Sequence, residues 1–235
     1  MVVRRIKNSR DGFHFNSRHW QGYKKTAPRL DATLFGVCVG MILGLASLFK
    51  SSRNAGIKFE QGYKQKEFLA HLFELFHDYT FMSTSGERIN LRGKRKGLVK
   101  SFWFKSFSHP SFTELWNLFL KDGKRKSIYE NLITEHLTDF GFAYWVMCDG
   151  SLQKDRNCLI LHTQSFTRSE NLLATREMNQ KWGLSCTVIP HKQDFCVIKS
   201  HAKDAFTLHL LLKPYLIESM RYKLPLFTHT HSLAS

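Results

Sequence analysis

Only one stretch of the chain is long and apolar enough to be mistaken for a membrane span. Residues 32–49 carry no charge and include Phe35, Val37, Val39, Met41, Ile42, Leu43, Leu45 and Leu48, at the lower edge of the roughly 18 residues a spanning helix needs. Gly36, Gly40 and Gly44 recur every fourth position, which places them on one helical face and lets a second backbone approach closely. That face requires a partner helix, in a bilayer or elsewhere in the same chain. Downstream, Ile57-Lys58-Phe59-Glu60 alternates as a strand does. The pattern then predicts a helix over 64–77, strands over 79–82, 88–91 and 98–104, and a helix over 111–120.

From Phe140 the same order begins again. An apolar helix over 140–148 ends in Asp149-Gly150, followed by a strand over 158–163, a helix over 168–182, strands over 186–190 and 195–199, and a helix over 202–212. Each half reads αββαββα. Phe59-Glu60-Gln61-Gly62 and His162-Thr163-Gln164-Ser165 stand at matching places, after the apolar helix and before the next one. A duplication of this length predicts a pseudo-two-fold α/β architecture. It divides the chain into a basic arm (1–30), a first half (31–127), a second half (128–225) and a tail (226–235).

Charge narrows the partner. Across 235 residues, 35 Lys and Arg face 19 Asp and Glu, a formal charge of +16, while 43% of the chain is hydrophobic and 20 residues are Phe. That is too much apolar mass for a disordered basic tail and points to a folded protein that meets a polyanion, nucleic acid first. Residues 1–30 hold Arg4, Arg5, Lys7, Arg10, Arg18, Lys24, Lys25 and Arg29 against the single acid Asp11, a composition shared by organellar transit peptides and nucleic-acid-binding arms. Arg88, Arg92, Lys94, Arg95, Lys96, Lys100 and Lys105 lie in and beside a hairpin with no acid between Arg88 and Thr113, which suits a phosphate-facing surface. Five cysteines without a CxxC pair argue against a disulfide framework or zinc knuckle. His229 and His231 read as a polar terminus.

Phe142-Ala-Tyr-Trp-Val-Met-Cys-Asp149-Gly150 and Cys38-Val-Gly-Met-Ile-Leu-Gly-Leu45-Ala46 resemble the two motifs of single-chain LAGLIDADG homing endonucleases. Leu161-His-Thr-Gln-Ser-Phe166, Leu212-Lys-Pro-Tyr-Leu216 and Arg221-Tyr-Lys-Leu-Pro225 extend the resemblance over roughly residues 34–225. It implies motif helices packed together at the centre, which gives the glycine face a purpose without lipid and makes a membrane partner unnecessary. It also implies two curved antiparallel sheets forming a saddle on a long double-stranded DNA site. The implied chemistry is phosphodiester hydrolysis with divalent metal, Mg²⁺ by expectation, held by a carboxylate at the foot of each motif helix. Asp149 matches one of these positions, just beyond a buried helix where an unpartnered carboxylate would be costly. The other position is Leu45, which cannot ligate a hard cation. By the same resemblance Lys126 and Lys223 match basic residues that stabilise transition-state charge, and Gln61 and Gln164 match polar positions that orient water. The expectation is a site-specific DNA endonuclease with an impaired active site, monomeric or part of a ribonucleoprotein and mitochondrial or of another organelle. Nucleic-acid binding is the firmer expectation, and cleavage, if it survives the loss of the first acid, is reduced as far as nicking. The alternative is a catalytically degenerate RNA-binding protein of the same fold, an intron maturase or a ribonucleoprotein component.

Overall fold

The computed structural model describes residues 9–50, 53–123, 125–192 and 194–226, together with the backbone of the strand Val2–Val3. The chain divides into two compact units, residues 1–126 and 127–235. Arg4, Arg5, Lys7, His229 and His231 lie outside the described residues.

In the first unit the repeat runs α2 (Ala32–Leu43), β2 (Ser47–Lys50), β3 (Ala55–Gly62), α3 (Lys66–Leu75), β4 (Gly86–Ile89), β5 (Val99–Lys105) and α4 (Pro110–Phe119). It is preceded by β1 (Val2–Val3) and α1 (Arg18–Thr26). The second unit runs α5 (Asp139–Asp149), β6 (Gly150–Gln153), β7 (Cys158–Leu161), α6 (Arg168–Trp182), β8 (Thr187–His191), β9 (Phe195–Lys199) and α7 (Ala205–Leu212). The strand order is β1-β4-β5-β3-β2 in one sheet and β6-β7-β9-β8 in the other, with every pair antiparallel. Without the added edge strand β1, the first sheet has the topology of the second, so the duplicated αββαββα order is a duplicated fold.

Local chemistry explains the boundaries. Asp31 caps α2 by accepting the Leu34 N–H at 2.7 Å, and Thr138 caps α5 by accepting that of Gly141 at 3.0 Å. Thr167 and Glu170 form a capping box on α6, whose far end turns off at Gly183 with φ +64°. Two sequence expectations fail here. The apolar run 32–49 is a helix only through Leu43; beyond Gly44 the chain turns, and Leu48 and Phe49 enter β2. Among the described residues no helix is long and apolar enough to cross a membrane. Residues 79–82 are not a strand: the backbone makes a 3-10 turn over His77–Tyr79, and Met82 joins only an isolated bridge to Ser9.

Alternation along β3 fixes the two faces of the first sheet. Ile57, Phe59 and Gln61 are buried while Lys58, Glu60 and Gly62 are not. The buried side carries stacked rings, Phe59 lying 4.8 Å from both Phe76 and Phe104. The open side of the sheet is therefore polar and aromatic, with Lys58 and Glu60 opposite Lys105 and Trp103. Trp103 lies over Gly86, where an added Cβ would come within 2.6 Å of the indole; Phe49 lies over Gly56, where it would come within 2.5 Å of the ring.

Residues 9–30 belong to the first unit. Trp20 on α1 is fully buried, donates from Nε1 to Ser9 Oγ at 2.6 Å and packs 4.4 Å from Phe81. Arg10 donates to the His77 carbonyl at 2.7 Å and lies 5.1 Å above the Trp20 ring. A fully buried tryptophan on about nine residues of helix is inconsistent with a segment that detaches without cost to the fold, since such a side chain contributes on the order of 3 kcal/mol by burial alone.

Candidate functional site

Both motif helices end under a lysine. In the second unit, Lys223 on the 3-10 stretch Glu218–Lys223 is 4% exposed and donates to the carbonyls of Met147 at 2.6 Å and Val146 at 3.2 Å. In the first, half-buried Lys126 donates to the carbonyl of Ile42 at 2.8 Å and to that of Gly44. Ile42 stands three residues before Leu45, as Val146 does before Asp149, so the two ammonium groups occupy equivalent places. A cation there adds a donor to carbonyls of the last helical turn, of which that of Val146 also accepts the Gly150 N–H, and meets the negative end of the helix dipole. Burial pushes the Lys223 ammonium down to about 8, opposed by the charges of Cys148 and Asp149.

What differs is the residue at the helix foot. Asp149 is the last residue of α5, half-buried, and Gly150 begins β6 directly beneath it. A Cβ at Gly150 would approach the Val146 carbonyl to 2.6 Å, so glycine is what lets the strand leave the helix this tightly. Leu45 has 53% of its surface exposed.

Strand register identifies the neighbours of each foot. The pairing Gly150↔Leu161 continues into a bond from the His162 N–H to the Asp149 carbonyl at 3.0 Å. In the first unit the pairing Ser47↔Lys58, extended by two residues, sets Glu60 opposite Leu45. Glu60 therefore matches His162, and Gln61 matches Thr163 rather than Gln164. Both members of the second pair point inward: Gln61 is 1% exposed and Thr163 is fully buried. The sequence alignment of Gln61 with Gln164 was one residue out of register, and a shift of one reverses the face. Gln164 is half-buried in the turn after β7, its amide nitrogen 3.4 Å from His162 Nδ1.

Glu60 and His162 are thus the open-face residues that sequence reasoning missed. The signal was present in β3, where Gln61 shares its parity with Ile57 and Phe59. Glu60 bonds to Lys58, accepts from Ser101 Oγ at 2.7 Å and pairs with Arg88 Nε at 2.9 Å. Burial alone would raise its carboxyl, but the bonds from Lys58 and Ser101 and the charges of Lys58 and Arg88 outweigh this and hold it below the usual value. His162 lies 2.8 Å from Ser151 Oγ and 6.4 Å, ring to ring, from His191. Burial, then the charges of His191 and Lys223, all lower its pKa and favour the neutral imidazole.

Of the basic hairpin, Arg92, Lys94, Arg95 and Lys96 are exposed at the tip joining β4 to β5. The tip is closed by bonds between Asn90 and both Gly97 and Leu98, and Arg95 stacks 4.1 Å from the centre of the Tyr63 ring. Lys100 lies at the bulge in the β4–β5 pairing, and Lys105 stands on the open face opposite Lys58. Arg88 is the exception to the expected run of uncompensated cations, because Glu60 neutralises it.

The described residues hold no group of three or more His, Cys, Asp or Glu arranged to enclose a metal ion. Mg²⁺ does not need such a cage: one or two carboxylates, waters and substrate phosphates suffice. Asp149 meets that requirement in the second unit; the side chain of Leu45 does not in the first.

The model of the LAGLIDADG DNA endonuclease family matches residues 35–206. The chain is 47% identical over 132 residues to a probable intron-encoded DNA endonuclease 3 of Mycosarcoma maydis, covering 55% of this chain and 96% of that one. It is 26% identical over 208 residues to the cytochrome b mRNA maturase bI2 of Debaryomyces hansenii, covering 83% and 74%. Among solved structures, the homing endonuclease I-WcaI bound to its DNA recognition sequence superposes with a TM-score of 0.84 at 28% identity, over 95% of this chain and all of that one. With the duplicated fold and both motif helices in place, the chain belongs to the LAGLIDADG DNA endonuclease family.

Proposed function

We propose that this protein is an intron-encoded endonuclease that binds a long double-stranded DNA site and cleaves one strand of it, in a mitochondrial setting. One contrast supports the reading: α5 ends in Asp149 beneath Lys223, whereas the position matching it, in the turn just past the end of α2 and beneath Lys126, is Leu45. The exposed cations at 92–96, with Lys105 on the open face, supply phosphate contacts in number. Asp149 would hold Mg²⁺, which when bound supplies an activated water and takes up charge on the leaving oxygen. Lys223 places a second cation at the same helix foot, where it holds the Val146 and Met147 carbonyls just ahead of Asp149 and offsets developing negative charge. The relative named a cytochrome b mRNA maturase supports the mitochondrial setting.

A plasmid carrying the intron-insertion site tests this. With Mg²⁺ the expected product is the open circle, and Asp149→Asn abolishes it. Leu45→Asp adds linear product if the first half is otherwise intact. Linear product from the unaltered protein, or nicking that survives Asp149→Asn, overturns the assignment.

A second reading has its own support. Loss of a metal-binding side chain at position 45 costs a nucleic-acid-binding protein nothing, and a maturase is among the relatives. Binding of structured intron RNA without metal-dependent cutting of the DNA site would favour it.

A further inference from the structure

The open faces of the two sheets differ in chemistry. That of the first carries Lys58, Glu60, Trp103 and Lys105. In the second sheet Leu159, Leu161 and Ile198 are buried against Phe142, Met178 and Leu208 of the three helices. Alternation therefore turns Ile160, Ile189, Phe195, Val197 and Lys199 to the other side. Lys199 is the only Lys, Arg, Asp or Glu within strands β6 to β9. Ile160 and Ile189 are half-buried, and Phe195 has 51% of its surface exposed. Val197 is covered, because the rings of His162 and His191, from the strands on either side of β9, meet above it 6.4 Å apart.

This face is in register with the helix foot. The His162 N–H bonds the Asp149 carbonyl, and extending the pairing Leu161↔Ile198 by one residue sets Val197 opposite His162, with Ile189 opposite Val197 in turn. One row thus runs from Asp149 across the sheet to Ile189.

We propose that the second sheet selects thymine in the half of the duplex that it covers, through contact of Ile160, Ile189 and Phe195 with the 5-methyl group in the major groove. The inference rests on the duplex-binding endonuclease reading and names the bases this sheet selects. The major-groove edge of a base pair offers hydrogen-bond donors, acceptors and one apolar group, the thymine methyl. An isoleucine or phenylalanine laid against donors and acceptors takes them out of water without replacing their bonds. Laid against a methyl, it removes two apolar surfaces from water together. With one lysine among its strands, the sheet offers phosphates little and base edges much, so it contributes selectivity more than strength.

The test uses the full chain, without divalent metal, and three forms of a duplex carrying the intron-insertion site: unaltered, with deoxyuridine for every thymine in one half, and with the same exchange in the other half. The exchange removes the methyl groups and keeps every base pair. In one half it should weaken binding by about fivefold or more, the scale of one or two buried methyl groups; in the other it should not. Ile189→Asn, and Phe195→Ser at an exposed position, should weaken binding to the unaltered duplex and add little further loss once the sensitive half carries deoxyuridine. Unchanged affinity in both exchanges, with the site still preferred over a scrambled duplex, overturns the proposal and leaves the endonuclease reading intact. Equal losses from the two exchanges, or full sensitivity retained in both variants, also overturn it, because the methyls then act elsewhere. Absence of any preference for the site over the scrambled duplex overturns both readings.

Discussion

The feet of α2 and α5 share their lysine and differ in their acid. Lys126 reaches the Ile42 and Gly44 carbonyls, and Lys223 reaches those of Val146 and Met147, although only the second foot carries a carboxylate. A lysine that served only to pair with the acid would have no partner at Leu45. Lys126 is nevertheless held, because the carbonyls at the end of a helix, at the negative end of its dipole, attract a cation whatever the next side chain is. Each lysine therefore secures its helix end, and at the second foot that securing also positions Asp149. The comparison separates a structural task common to both halves from a chemical one confined to the second.

The sharpest way to break this comparison is to remove both lysines in turn. Lys223→Met should reduce nicking by on the order of 10²–10³, the scale of losing one preorganised charge at a reacting centre. Lys126→Met should leave the nicking rate within a few fold. Both should lower stability by about 1–3 kcal/mol, because carbonyls lose their donors. Urea unfolding read beside plasmid nicking distinguishes the two effects. Equal losses of nicking in the two variants would sink the idea that the chemistry is confined to the second foot.

The same contrast has a pH signature. In the folded chain burial brings Lys223 down to about 8, well below the usual lysine range near 10.5, so between those values the unfolded chain holds the proton more tightly. Stability must then rise with pH across that window, by up to about 3 kcal/mol, and below it the cost of burying the ammonium is fully present and independent of pH. Nicking should move the opposite way, falling above pH 8 as the cation is lost. Lys223→Met should flatten the Lys223 part of the stability rise. A wild-type profile indistinguishable from that of Lys223→Met would show that burial does not depress this ammonium.

How much of this was legible in the sequence depended on periodicity. The duplicated αββαββα order could be read because apolar spacing survives in both halves, and the α6 and β9 bounds coincide with the spacing-based ones because caps and alternation mark them. The extent of the apolar run at 32–49 was not legible, since an uncharged stretch looks alike whether it continues as helix or turns at Gly44 into a strand. Tyr79 to Met82 failed for a related reason. Their apolar character reflects packing against other rings, Phe81 against Trp20 and Tyr79 against Phe76, rather than membership of a sheet. Asp149 and the two lysines were found through the family resemblance. Glu60 and His162 were missed because only strand pairing shows which residue opposes each helix foot.

That register error yields the smallest and most discriminating prediction. Glu60 and Gln61 are adjacent in β3, yet one faces the polar side of the sheet and the other its buried side. Glu60→Gln removes the charge that restrains Lys58 and neutralises Arg88, freeing two cations on the open face. Duplex affinity should rise severalfold at low salt and its dependence on salt should steepen, since each added phosphate contact releases about one counterion. Gln61→Leu should leave both quantities unchanged and alter stability alone, by about 1–3 kcal/mol, the scale of replacing a buried hydrogen-bonding group. Fluorescence anisotropy across a salt series, beside thermal unfolding, separates the two outcomes. If Gln61→Leu changed the salt slope and Glu60→Gln did not, the open face of the sheet would be the wrong one.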